Sequence, residues 1–257
     1  MTDTASGAGT SRRARWPWVV LVVVVLIAVL IVAAELVARA VVPSTVRALV
    51  IDELDLPADQ QLEVIASGVL LPQLLAGTLD ELRLASDDIT IGGVTGAVEM
   101  TATRVPLGSG ALGAADGTVS IDQSQFAGLL EASDLPISDI TLDEPDVTVH
   151  GGIPVLGREI PIALTLTPGA EDGDLLLTPV AAEFAGNEID LQRLASMLGD
   201  TGVALAAPHH VCIADQLPAG MTLMGLRIDG TTVVADLAVD GQIAVDESLL
   251  EPGTCPR

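Results

Sequence analysis

A chain of 257 residues that is 49% hydrophobic but only 2% aromatic has to build its core from aliphatic side chains. Its formal net charge of −24 sets 35 acidic residues against 11 arginines. That balance repels nucleic acid, whose affinity for proteins rests on neutralised phosphates.

The first segment differs in kind from the rest. Arg12, Arg13 and Arg15 precede Trp18–Ala34, a run of 17 residues without a charge. At about 1.5 Å per residue a helix of that length spans roughly 26 Å, enough for the hydrocarbon core of a bilayer. Trp16 and Trp18 lie where an interfacial aromatic belt belongs, and the arginines place residues 1–15 in the cytoplasm as a basic tail. Residues 16–40 are then a transmembrane anchor or a signal segment, since Ala38-Arg39-Ala40 offers a small-x-small cleavage site. Either way residues 41–257 form a domain outside the cytoplasm: membrane-tethered if the segment stays, secreted if it is cut.

Pro43 interrupts the next apolar stretch, and Ser44 or Thr45 is placed to cap a short helix running to about Leu54. "LEVIASG" (62–68) alternates as a strand. "VLLPQLLAG" (69–77) carries Leu70, Leu71, Leu74 and Leu75 at helical spacing and ends on Gly77, a C-cap residue. Strands follow at about 79–92 and 94–105, joined by Gly92-Gly93 as a hairpin. In the second, Val94, Gly96, Val98, Met100 and Ala102 share one face, and Thr95, Ala97, Glu99, Thr101 and Thr103 share the other.

After a Gly/Ala-rich loop (108–117), "TVSIDQSQFAGLLEAS" reads as a strand handing over to a helix at Asp122, with Gln125 completing a capping box. Further strands are expected at about 137–149, 159–167 and 174–182. "IDLQRLASML" (189–198) then echoes "IDQSQFAGLL" (121–130) at an offset of 68 residues, which reads either as a two-part pseudo-repeat or as the ordinary use of Asp to cap a strand-to-helix junction. Residues 221–246 are strand-like again, with turn signals at Asp229-Gly230 and Asp240-Gly241. Nine or ten strands with three or four short helices, dominated by antiparallel hairpins, indicate an α+β fold with a curved sheet.

Cys212 and Cys255 both fall in the exported part, where a pair is most simply a disulfide pinning the C-terminal tail. His209-His210-Val211-Cys212 alternatively suggests a metal site, although the other cysteine and histidine lie far away in sequence.

No motif of nucleophilic, zinc-protease, phosphate-loop or dinucleotide type occurs. The adjacent acids Asp87-Asp88 and Asp143-Glu144 sit in turn-like stretches, where such pairs are ordinarily solvated. The chain reads as a non-enzyme without cofactor or metal. What it has in excess is aliphatic surface. Leu71, Leu74, Leu75, Val98, Met100, Phe126, Leu130, Leu194, Met197 and Leu198 either plug the sheet as a dry core or line a channel suited to flexible acyl chains.

The order of "ELVARAVVPSTVRAL", "LEVIASGVLLPQLLAGTLDELRLASDDITIGGVTGAVEMTATRVPL" and "GTVSIDQSQFAGLL" behind an apolar segment resembles the LmeA-like family of actinobacterial cell-envelope proteins. The resemblance covers most of the chain from about Glu35 and is clearest over 62–130. It implies a phospholipid-binding protein outside the inner membrane, associated with mannan elongation on membrane-anchored lipoglycans. It also implies a tubular lipid-binding-like fold, with a sheet rolled around helices. On that reading the partners are phospholipid, the cytoplasmic membrane and envelope glycosyltransferases. Arg83, Arg104, Arg158 and Arg227 are candidates to meet a lipid phosphate, with Arg104 foremost because it ends the apolar-facing register of its strand. The alternative is a membrane-anchored adaptor for envelope-synthesis enzymes, with a dry core and no lipid.

Overall fold

The computed structural model describes residues 16–53, 57, 60–91, 94–125, 137–155, 158–184, 186–191, 193, 203 and 206–255. Helix α1 (Trp16–Glu53) is one continuous helix of 38 residues, so the break expected at Pro43 does not occur. Proline offers no N–H to the carbonyl four residues back, but hydroxyls beside it serve the next carbonyls. Ser44 Oγ donates to the carbonyls of Ala40 and Val41 at 3.2 and 2.9 Å, and Thr45 Oγ1 donates to that of Val41 at 2.9 Å. Ser44 and Thr45 therefore back-bond inside a helix and do not cap one. The helix is long and apolar enough to cross a membrane, with a mean hydropathy of 3.3 in its most apolar stretch and none of that stretch buried.

Strand β1 (Glu63–Ala66) leads into α2 (Leu70–Ala76), which closes on Gly77 at φ 76°. Only a residue without a Cβ takes that left-handed conformation freely, and the Gly77 N–H reaches back to the carbonyls of Gln73 and Leu74. Then come β2 (Thr78–Ile91), β3 (Val94–Pro106) and β4 (Ala114–Asp122). The span expected as a strand over 137–149 is a hairpin, β5 (Ile137–Asp143) and β6 (Asp146–Val155), turned at Glu144-Pro145. Proline cannot donate to a ladder, so the pairing turns there. Strands β7 (Arg158–Glu171), β8 (Asp174–Phe184), β9 (Asn187–Ile189), β10 (His209–Val211), β11 (Met221–Asp229) and β12 (Thr232–Val239) complete the set.

All pairings are antiparallel, and the fold is α+β. The strands form two sheets, ordered β1-β2-β3-β4-β12-β11 and β10-β8-β7-β6-β5, with β9 paired to β8. The chain thus leaves the first sheet after β4, builds the second, and returns to close the first. Asp122, the last residue of β4, and Asp190, the residue after β9, each accept from an amide of the helical turn that follows, at Ser124 (2.9 Å) and Arg193 (3.1 Å). The Ser124 N–H and hydroxyl hold the Asp122 carboxyl below its ordinary value. Gln125 does not complete the expected capping box; its carbonyl oxygen accepts from the Thr95 N–H at 3.4 Å.

Among the described residues, three packed clusters hold the molecule together. One joins α1 to the first sheet through Ala38, Leu70, Leu79 and Leu82, with Val42, Val46 and Leu74 against them. The second joins the two sheets through Ile140, Leu142, Val147 and Leu166 on one side and Ile228 and Val233 on the other. The third, Ala102, Ala115 and Val239 with Leu112 and Ile243, closes one end of the first sheet. Cys212 and Cys255 are joined across 43 residues and pin the C-terminal tail, as the sequence led one to expect.

Candidate functional site

The apolar face of the first sheet follows from strand register. Ser86, Val98, Val119 and Ala235 lie on one rung; Leu84, Met100, Gly117 and Leu237 on the next; Leu82, Ala102, Ala115 and Val239 on the third. The opposite face carries Arg83 ion-paired with Glu99, and Asp236 bridging Thr118 and Arg227. Side chains alternate along each strand, so one face is wet and the other apolar.

The three rungs are not equally covered. Leu82, Ala102, Ala115 and Val239 are buried. Val98, Met100, Val119, Ala235 and Leu237 are only partly buried and belong to none of the three packed clusters. Gly117 lies beneath the Met100 methyl, which stands 4.0 Å from where a Cβ on Gly117 would sit. The result is a strip of aliphatic and thioether side chains framed by core on three sides. Nothing on it donates or accepts a hydrogen bond, except for Ser86 at its edge, whose hydroxyl is used on the Gln61 carbonyl at 2.8 Å.

Of the lining residues expected from periodicity, Val98 and Met100 lie on this strip. Leu74 packs into the α1 cluster. Leu71 is partly buried, with its amide spent on Glu35, and Leu75 points outward at 88% exposure. Phe126, Leu130, Leu194, Met197 and Leu198 lie outside the described residues. Sequence reasoning passed over Val119, Ala235 and Leu237, although the alternation Val233, Ala235, Leu237, Val239 in "TTVVADLAV" carries the same period as β3.

Arg104 departs from its expected place. Its φ of 47° is left-handed, which brings both Ala102 and Val105 into core contacts and turns the guanidinium outward. The side chain lies across Gly113, where a Cβ would stand 2.4 Å from Arg104 Nε. Arg83 and Arg227 are spent on carboxylates of the polar face, and the Arg158 side chain lies outside the described residues. Arg104 is exposed and has no ion-pair partner among the described residues.

The α1 side is tied in by polar contacts. Glu35 Oε1 and Oε2 accept from the Leu70 and Leu71 amides, each at 2.9 Å, and Arg39 pairs with Glu35 while donating to the Gly68 carbonyl at 2.6 Å. Further along α1, Arg47 donates to the Gln60 carbonyl at 2.6 Å. Gln60 in turn meets Ser86 and Asp88 on β2. The helix therefore packs along β1 and α2, and the apolar span projects from the end of the sheet that holds α2.

An open cleft of about 800 Å³ lies elsewhere, between Val180, Ala181, Ile189, Leu191 and Val203. Glu188 and Asp190 at its rim repel a phosphate, which makes it the poorer home for an anionic lipid. Among the described residues no group of three or more His, Cys, Asp or Glu is placed to hold a metal. The disulfide consumes Cys212, and His210 faces Glu171 at 3.6 Å, so the His-Cys metal alternative falls.

The family model described as LmeA-like phospholipid-binding matches residues 33–238. No curated protein and no solved structure matches.

Proposed function

The chain belongs to the LmeA-like phospholipid-binding family, and we propose that it holds a phospholipid on the apolar face of its first sheet, outside the cytoplasmic membrane. Membership in the family implies phospholipid binding and points to binding rather than catalysis. The observation that carries the assignment to this face is the strip Val98, Met100, Val119, Ala235 and Leu237, partly buried and outside every packed cluster. Acyl tails lie there against side chains that conform to them, methionine above all. The headgroup sits at the end of the sheet that carries Arg104, whose guanidinium suits a phosphate.

Retention of the anchor is supported by Glu35, Ala38 and Arg39, all used in packing or hydrogen bonding to the domain. Cleavage after Ala40 removes all three. The protein is thus a tethered lipid binder on the outer side, and its role is lipid handling in support of envelope lipoglycan elongation.

Native mass spectrometry of the purified full chain, followed by organic extraction, tests the reading. Bound phospholipid at about one per chain is expected. A lipid-free protein with a well-packed interior overturns it and favours the adaptor.

A further inference from the structure

We infer that the α2 corner is a bilayer-docking surface: Val69, Leu75 and Leu107 enter the interface of the outer leaflet beside the anchor. This rests on the reading of α1 as a retained membrane span. Glu35 is the first charge after the uncharged run Trp18–Ala34, so it marks the level at which the helix leaves the hydrocarbon. Its carboxylate holds the Leu70 and Leu71 amides at 2.9 Å, which sets the first turn of α2 at that same level. A seven-residue helix is only about 10 Å long, so Leu75 stays within reach of the headgroup zone.

The corner is apolar where a soluble domain would be polar. Leu75 is 88% exposed, Val69 57% and Leu107 47%, and the Leu107 N–H bonds the Gly77 carbonyl at 2.9 Å, which joins the end of β3 to α2. Clustered exposed aliphatics of this kind mark an interaction surface. Charge around them is arranged to match lipid. Glu35 is satisfied by two amides and Arg39, while Arg104 presents a guanidinium without a carboxylate partner among the described residues. Asp80 falls opposite Arg104 in the register, between the Leu79–Val105 and Glu81–Thr103 rungs, and forms no ion pair with it. The chain as a whole, at −24, is repelled by an anionic surface. Close approach therefore depends on this corner and on the tether.

Site-directed fluorescence quenching tests the docking. The full chain with Leu75→Cys is labelled with an environment-sensitive fluorophore, the native disulfide kept oxidised, and reconstituted into phosphatidylcholine vesicles containing doxyl-labelled phosphatidylcholine. Leu26→Cys in the span and Asp229→Cys in the β11–β12 turn serve as deep and distant references. Because Leu75 is so exposed, its replacement leaves packing intact; Leu107→Cys gives a second reading from the same corner. Quenching at Leu75 and Leu107, stronger from shallow than from deep doxyl groups, with none at Asp229, is expected. An unquenched corner beside a quenched Leu26 position overturns the docking alone, and loss of quenching at Leu26 overturns the anchor and the docking together. Phospholipid extracted from the purified chain before reconstitution reports the binding function separately. Lipid present with an unquenched corner leaves the function standing, and quenching without lipid leaves only the docking.

Discussion

Glu35 and Leu70 meet across 35 residues of sequence, the glutamate at the mouth of the apolar span and the leucine at the start of α2. One carboxylate takes two amides of a helix that has no side-chain cap of its own, since Val69 supplies none. This is a cap delivered from another element, and it uses the preference of helix N-termini for negative charge. Glu35→Ala is expected to lower the thermal midpoint by roughly 2–4 °C, as for the loss of a cap in a domain of this size. Glu35→Gln, which keeps one accepting oxygen, loses less. Calorimetry on both variants checks the order; an alanine variant as stable as the parent removes the cap from the account.

Met100→Trp separates an occupied face from a dry one. Where side chains are already close-packed, the larger ring overpacks and costs about 1–3 kcal/mol. On a lipid-bearing strip the ring displaces acyl chain. The expected outcome is less co-purifying phospholipid with a nearly unchanged midpoint. A lowered midpoint in a protein that never carried lipid shows the face to be core.

Unfolding the protein without reductant and alkylating it reads the disulfide directly. No free thiol is expected, because Cys212 and Cys255 are joined. Closing a loop of 43 residues is worth about 3–4 kcal/mol in the chain-entropy treatment, so reductant lowers the midpoint of the folded domain markedly. Two labelled thiols in freshly exported protein contradict the pairing.

Among the described glycines, Gly241 has the closest backbone obstacle to a side chain. A Cβ there would stand 2.2 Å from the Leu112 carbonyl oxygen, and the Leu112 N–H donates to the Gly241 carbonyl at 2.8 Å. The obstacle is backbone, which cannot swing aside as a side chain does. Gly241→Ala is expected to cost about 1–3 kcal/mol, measured by denaturant unfolding. Gly108→Ala, with nothing within 4 Å, is the neutral comparison.

Fusions of alkaline phosphatase after Arg257 and after Arg15 report the sidedness of the chain. Activity in the first and silence in the second are expected from the arginines before the span. The reverse pattern moves the domain to the cytoplasm and removes the setting in which the disulfide forms.

Much of this was legible in the residues where a short period repeats. The leucines and Gly77 of α2 and the alternation of β3 announced themselves, as did the turn at Asp229-Gly230, because each depends on neighbours within a few positions. Pro43 misled, because the loss of one donor is visible in sequence while the hydroxyls that serve nearby carbonyls are easily read as caps. Strands β9 and β10, three residues each, are too short to show a period. The capping of α2 by Glu35 and the outward turn of Arg104 depend on elements far apart in the chain, and no local pattern encodes them. The division into two sheets, with β12 returning to β4, is likewise a matter of long-range pairing.

That return has a consequence for how the molecule is made. Thr118 donates to Asp236 across 118 residues, and every rung between β4 and β12 is equally non-local. A chain delivered from its N-terminus presents β1 to β4 first, with β4 as a bare edge, while the whole second sheet is still to come. The second sheet, a meander of neighbours, forms early; the first closes late, because distant pairing is slow. Until Val239 has emerged, the apolar face lacks Ala235 and Leu237 and its open edge is free to pair with another chain. Partly made chains are therefore the aggregation-prone species, and a chain cut short of β11 keeps α1 while lacking the β12 part of its apolar face.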